Sequence, residues 1–360
     1  MAQVTAALVK QLRELTGAGV LACKNALVDN DGDIDAAVEE LRKKGEATAV
    51  KKANRIAAEG IVKVVVRDNT AVMVEVNSET DFVAKNDKFQ DFVSAVVDQV
   101  FATEATDVEG LMEDKWLADP SKTVREALVA LIATIGEKIT IRRFVKIVTD
   151  GIVVPYIHGG GRIGVIAEAN AVDGAEDALK NIAMQVAAMN PQYVSRSDMS
   201  DEEVAKLREI TVDSALNTPE SLPKPILTKL LAKATEDGLW SEADAAAYEE
   251  QKNNLNYLFN FLSAEAKTTV AGLAMADKET IAADKIFNGL VEGRVSKQLK
   301  EICLLDQVYV KAEDGKQSVA QYLKAVNGDL ALKKFVRFEV GEGIEKRQEN
   351  FAEEVAKQMA

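Results

Sequence analysis

The sequence predicts an α+β fold whose core is built twice over. Three observations carry that prediction. Apolar strands and helical stripes alternate from about residue 60 onward, the pattern that opens at Gly60 recurs at Gly151, and a long stretch of purely helical periodicity interrupts the second copy. Gly60-Ile61-Val62-Lys63-Val64 begins one copy and Gly151-Ile152-Val153-Val154-Pro155 the other. In each, an apolar strand ending in Asn follows (residues 72–77 and 163–170), then a helix (89–101 and 178–189). Each closes on a basic-aromatic strand, Ile139-Thr140-Ile141-Arg142-Arg143-Phe144-Val145 matching Leu332-Lys333-Lys334-Phe335-Val336-Arg337-Phe338. The second copy is much the longer, so it carries an insertion.

Ahead of the repeat, residues 5–45 hold three short helical patterns. Leu8, Val9, Leu12 and Leu15 form the first apolar stripe, Thr16-Gly17-Ala18-Gly19 breaks it, residues 20–28 form the second, and Asn30-Asp31-Gly32-Asp33 breaks again. The third pattern, 34–41, is expected to end near Gly45, with Arg42, Lys43 and Lys44 in its last turn where cations suit a helix C-terminus. A module this small is marginal alone and serves as a docking unit on something larger. Lys51-Lys52-Ala53-Asn54-Arg55 follows as a basic linker. The insertion falls mostly between Val194 and Ile286: Ser200-Asp201-Glu202-Glu203 is a capping box, Pro219, Pro223 and Pro225 cluster at a break, and Ser241-Glu242-Ala243-Asp244 caps a further helix. A long helical hairpin is the economical reading. Its Tyr257-Leu258-Phe259-Asn260-Phe261-Leu262 cluster must be covered, either by the hairpin itself or by a second copy of the chain, which leaves a homodimer open. The domains are thus expected at 1–55, 56–150, 151–340 with the hairpin at about 195–285, and 341–360.

With 360 residues, 47% hydrophobic and 28% charged, the composition is that of a globular chain. A net charge of −14 repels phosphate backbones and argues against nucleic acid as a direct partner. There is no leader-like opening and no apolar run long enough for a membrane, so a cytoplasmic protein is expected. Cys23 and Cys303, far apart and outside any Cys-x-x-Cys pair, predict neither a disulfide framework nor a zinc site, and no metal or cofactor is expected. His158 is the only imidazole, which weighs against most hydrolytic and metal-dependent mechanisms.

The most informative segment is Thr80-Asp81-Phe82-Val83-Ala84-Lys85-Asn86, an aromatic in a charged setting at the joint between a strand and a helix. The local pattern alone favours a Phe82 tucked under its own helix. The repeat favours the opposite: the matching joint of the second copy, Asn170-Ala171-Val172-Asp173-Gly174-Ala175, has no aromatic, so the shared framework does not need a ring there. An exposed ring of this kind suits a partner's anchor. Gly159-Gly160-Gly161-Arg162-Ile163-Gly164 matches the dinucleotide pattern by letter, but a strand follows it rather than a helix, so the glycines are expected to make a hairpin tip with His158 at its edge. Ile135-Gly136 reads first as a helix C-cap and Lys24 as a solvated charge.

Four stretches together resemble the elongation factor Ts family: Thr16-Gly17-Ala18-Gly19 with Cys23-Lys24 and Ala26-Leu27; Thr80-Asp81-Phe82-Val83-Ala84-Lys85; Ile157-His158-Gly159 through Ile163-Gly164-Val165; and Arg337-Phe338-Glu339-Val340-Gly341-Glu342-Gly343-Ile344-Glu345-Lys346. The resemblance covers residues 1–195 and about 285–360, while the hairpin region fits only in position and helical character. It implies a UBA-like N-terminal module, two related halves, a hairpin in the second, and a short C-terminal helix. It also implies a guanine nucleotide exchange factor for elongation factor Tu, with no covalent chemistry of its own. By that resemblance Asp81 and Phe82, flanked by Thr80 and Val83, enter the partner's nucleotide-binding domain near its magnesium site. Lys24, Ile135, Gly136 and His158 with Gly159 fall at further partner contacts, and Phe351 and Val355 belong to a C-terminal module that packs on the partner. Two readings from other classes stand beside it: an enzyme using Glu339, Glu342 and Glu345 for proton transfer, and a passive scaffold in which Phe82 is core.

Overall fold

The computed structural model describes residues 4–345. The expected C-terminal contacts Phe351 and Val355 lie outside the described residues. The chain divides into two compact units, one made of residues up to Asn190 and those from Gln321 onward, the other of Pro191–Ala320.

The first unit opens with α1 (Ala6–Thr16), α2 (Val20–Asp29) and α3 (Ile34–Lys52). Thr5 and Asp33 cap the first and third through the amides of Leu8 and Ala36, and Gly17 ends α1 in the left-handed conformation. Leu12, Cys23, Ala26, Leu27 and Ala37 make the module's core. Next come β1 (Glu59–Arg67), β2 (Thr70–Ser78), α4 (Asp81–Ala84), α5 (Asp87–Ala102), α6 (Val108–Glu113), α7 (Val124–Ile135) and β3 (Ile139–Val148). The strands form an antiparallel sheet in the order β1-β2-β3. Central β2 is covered on both faces, which explains an apolar run broken only by Glu75: Val72, Val74 and Val76 pack with α5 and α7, while Ala71 and Met73 join the opposite core.

The second half repeats the plan with β4 (Ile152–His158), β5 (Ile163–Ala169), α8 (Glu176–Met189) and β6 (Leu332–Glu339), in the order β4-β5-β6. The two sheets meet face to face through Val62, Val64, Met73, Ile166 and Phe338. At Gly164 the approach is so close that a Cβ would stand 2.4 Å from Val62 Cγ1, so only glycine fits.

Helix α3 departs from the expectation. It does not stop at Gly45 but continues to Lys52, taking in the start of the expected linker. Gly45 serves a contact rather than a cap, since a Cβ there would lie 3.4 Å from Ala133 and 3.5 Å from Val129 on α7. The missing side chain lets the two helices lie close together.

The second unit holds α9 (Asp201–Leu216), α10 (Lys224–Glu236), α11 (Glu242–Gln251), α12 (Leu255–Leu258), α13 (Ala264–Ala276), α14 (Lys278–Ala283) and α15 (Lys285–Ile302). It is fuller than a two-helix hairpin and has its own core, with Leu216, Leu231, Leu258, Val270, Phe287 and Val291 at its centre. The reason is local: Ser200, Ser241, Ser263 and Asp284 each cap a new helix, so the periodic stretch is cut into short pieces that pack on one another. Buried Asp244 brackets two of them, accepting from Ser241 Oγ at 2.6 Å and from Ser263 N and Oγ at 2.8 and 3.0 Å. The aromatic cluster is divided, with Leu258, Phe259 and Leu262 buried and Tyr257 and Phe261 exposed. Helix α16 (Val319–Val326) precedes β6.

Candidate functional site

Between β2 and α5 the chain makes the single turn α4, and the sequence dictates both of its ends. Thr80 is extended and its hydroxyl accepts from Val83 N, while Asn86 restarts the chain as α5 by capping Lys88 N. Val83 and Ala84 turn inward. Phe82 turns outward, with 80% of its surface exposed. Val83 and Ala84 share their core with fully buried Phe89 and with Phe92, which stacks on Trp116 at 5.4 Å between ring centroids, so the aromatics of this core come from α5 and not from the turn. The local expectation of a buried Phe82 is therefore overturned, and the exposed alternative drawn from the repeat describes the geometry. Asp81 pairs with Lys85 at 2.7 Å, and that hydrogen bond holds the Asp81 carboxyl below its ordinary value.

Phe82 and Val83 share a shallow groove with Asn86, Lys88, Thr134 and Ile135. Ile135 is the last residue of α7 and Gly136 its left-handed cap, φ +86°, with its amide on Ile132 O. The sequence motifs 80–83 and 135–136 thus come together at one surface. What joins them is a pair of carboxylates that sequence reading missed. Glu137 accepts from Thr80 N at 3.0 Å and Thr80 Oγ1 at 2.8 Å, and Glu79 accepts from Lys138 N at 2.6 Å. Arg55 pairs with Glu79 at 3.1 Å, Lys138 Nζ donates to Arg55 O at 2.8 Å, and Lys52 Nζ donates to Gly136 O. The only trace of this in the sequence is an acid immediately before Thr80 and another immediately before Lys138.

Lys24 and His158 do not line this groove. Lys24 is exposed on α2, on a face shared with exposed Val20, Leu21 and Val28. His158 and Gly159 stand at the tip of the β4–β5 hairpin, where Gly159, Gly160 and Gly161 all have positive φ. Strand β5 follows directly, so the glycines open no helix and the dinucleotide likeness has no structural counterpart. Gly161 O accepts from Val62 N at 2.7 Å, and a Cβ at Gly161 would lie 2.6 Å from Ile61. His158 is exposed, its Nδ1 3.2 Å from Tyr156 Oη.

Two of the carboxylates weighed for proton transfer are engaged in ion pairs. Arg337 bonds Glu339 at 2.7 Å and Arg143 bonds Glu342 at 3.1 Å. They border a buried centre in which Glu75 accepts from Arg142 at 2.9 Å, Arg143 at 2.6 Å and Gly341 N at 2.8 Å. Among the described residues there is no group of His, Cys, Asp and Glu that could hold a metal ion, and no helix is long and apolar enough to cross a membrane.

Comparison with known proteins adds an independent line. A family model described as Elongation factor TS matches residues 79–239 and 244–342. The chain is similar to the Elongation factor Ts of Clostridium novyi (strain NT), 42% identical over 364 residues that cover 99% of each chain. It is equally similar to the Elongation factor Ts of Clostridioides difficile (strain 630), 42% identical over 368 residues that cover 100% of each.

Proposed function

The chain belongs to the elongation factor Ts family of translation elongation factors, and from that premise we propose that it binds elongation factor Tu and exchanges its guanine nucleotide. In this reading Asp81 and Phe82, with Thr80 and Val83, enter the partner's nucleotide-binding domain and loosen its hold on GDP and magnesium. Ile135 and Gly136 flank the entry. Lys24 on α2 and His158 with Gly159 at the hairpin tip supply separate contacts. GTP then rebinds and the factor leaves.

The observation that carries the proposal is the exposure of Phe82 on a turn fixed from both sides. A large apolar ring held out in water gains free energy when a partner covers it, and buried aromatics dominate interface energies. Exchange needs no acid, base or nucleophile in the factor. It needs higher affinity for the empty partner than for the nucleotide-bound one, and the weakening of nucleotide by factor equals the weakening of factor by nucleotide. The test is to mix the chain with elongation factor Tu carrying fluorescent GDP, in excess unlabelled GDP. Accelerated release supports the reading; an unchanged release rate overturns it.

A further inference from the structure

We infer that Glu137, together with Glu79, is a positioning residue for Phe82, holding the turn that presents the ring. The inference rests on the exchange reading above and names how this chain achieves it.

The turn cannot hold itself. A four-residue helix has too few internal hydrogen bonds to persist alone, and the outward Phe82 contributes little burial to anchor it. Its fixed points are the inward Val83 and Ala84 and whatever grips Thr80. The ladder between β2 and β3 has its last pair at Ser78 and Ile139, so the next residues on each strand have lost their backbone partners. Carboxylates take their place reciprocally. Glu137, on the β3 side, receives the amide of Thr80, and Glu79, on the β2 side, receives the amide of Lys138. Hydrogen bonds to an ionised acceptor are about twice as strong as neutral ones. The clasp is thus an extension of the sheet made from side chains.

The second bond from Thr80 ties the clasp to the ring. Because the Thr80 hydroxyl hydrogen goes to Glu137, its lone pairs are left for Val83 N, the bond that starts α4. Glu137 therefore sets the rotamer of the cap, and the cap sets the direction of residue 82. Arg55, reaching Glu79 from just beyond α3, connects the same clasp to the three-helix module that carries Lys24.

The test compares Glu137→Ala, Glu137→Gln, Phe82→Ala and the double variant in stimulated release of fluorescent GDP from elongation factor Tu. Amide hydrogen exchange of residues 80–83 in the full chain is followed alongside. Glu137→Ala is expected to lower the maximal release rate about tenfold, the worth of a charge-assisted hydrogen bond, with the half-saturating concentration little changed. Glu137→Gln, which keeps the shape but only one acceptor oxygen, falls between wild type and Glu137→Ala. In the Phe82→Ala background, Glu137→Ala should add no further loss, and the amides of 80–83 should exchange faster in both Glu137 variants. Equal losses in the two backgrounds, or unchanged amide exchange, overturn the inference and leave Glu137 as a general stabiliser of the fold. Faster exchange of these amides together with a Phe82→Ala rate equal to wild type instead overturns the role of Phe82: the clasp then holds a turn that plays no part in release.

Discussion

Replacing Phe82 by alanine tests the exchange reading directly, because a ring with 80% of its surface exposed can be removed with little effect on the fold. A phenylalanine can bury about 150–250 Å². With 80% of its surface exposed, roughly 160 Å² remains for a partner to cover, which at about 25 cal/mol per Å² sets an upper limit near 4 kcal/mol. Interface anchors cost about 2 kcal/mol or more when truncated, so the loss should fall at about 2–4 kcal/mol, or roughly 30- to 1,000-fold. If the ring acts on nucleotide release itself, this loss appears in the maximal rate at saturating factor. Stopped-flow release of fluorescent GDP from elongation factor Tu, titrated with variant and wild type, reads it directly. The fold should hardly notice, because the buried fifth of the side chain is worth no more than about 1 kcal/mol. A variant with an unaltered melting profile and a maximal release rate within about threefold of wild type would refute the argument.

Three further outcomes follow from the packing. Glu75→Ala leaves Arg142, Arg143 and Gly341 N without their shared acceptor; since both guanidiniums retain some solvent contact, the cost should sit near about 3 kcal/mol, the low end for a broken buried pair, and calorimetry should show the first unit melting roughly 6–12 °C lower. Gly45→Ala and Gly45→Leu should move in opposite directions: alanine meets Ala133 and Val129 at ordinary contact distance and gains about 0.5–1 kcal/mol of helix propensity, whereas leucine overfills the α3–α7 contact at a cost of about 1–3 kcal/mol, as denaturant titration would report. The hydroxyl of Ser241, then the amide of Ser263, hold the Asp244 carboxyl below its ordinary 3.8. A lowered folded value means that its contribution is present above the unfolded value and is lost as pH falls through the folded one. Acid titration of the second unit should therefore lose one protonation-linked step below about pH 4 in Asp244→Ala, and an identical acid profile would contradict this assignment.

Much of the fold was legible because the decisive signals were local. The β-strands, the joint at residues 80–86 and the Ser200 cap can each be read from a dozen neighbouring residues, and the two-copy plan from a comparison of residues 60–77 with 151–170. What escaped depended on partners distant in sequence. Gly45 looks like a helix stop until Ala133 is beside it. Glu137 looks like a surface acid until Thr80, 57 positions earlier, is found on it. Phe82 was ambiguous for a related reason: in a turn as short as α4 the inward positions are set by the core it caps, and they fall to Val83 and Ala84 rather than to residue 82. One long-range feature did leave a mark. Glu75 stands alone in the apolar run Val72-Met73-Val74-Glu75-Val76, and the only adjacent arginines on the neighbouring strand, Arg142 and Arg143, are its partners. A solitary carboxylate in a central strand needs such neighbours.

The pairing of β5 with β6 sets an order of events during synthesis. Ala169 lies opposite Leu332, and the whole helical unit, Pro191–Ala320, is encoded between them. At about 5–20 residues per second, a ribosome needs of the order of ten to thirty seconds to travel from one strand to its neighbour. Throughout that interval the β4–β5 hairpin has an open edge, and the inter-sheet core lacks Phe338 and Val340. The inserted helices, whose contacts are nearer in sequence, can close first. The nascent chain thus completes its interruption before its sentence, and the first half waits for Gly341 to deliver the last donor to Glu75.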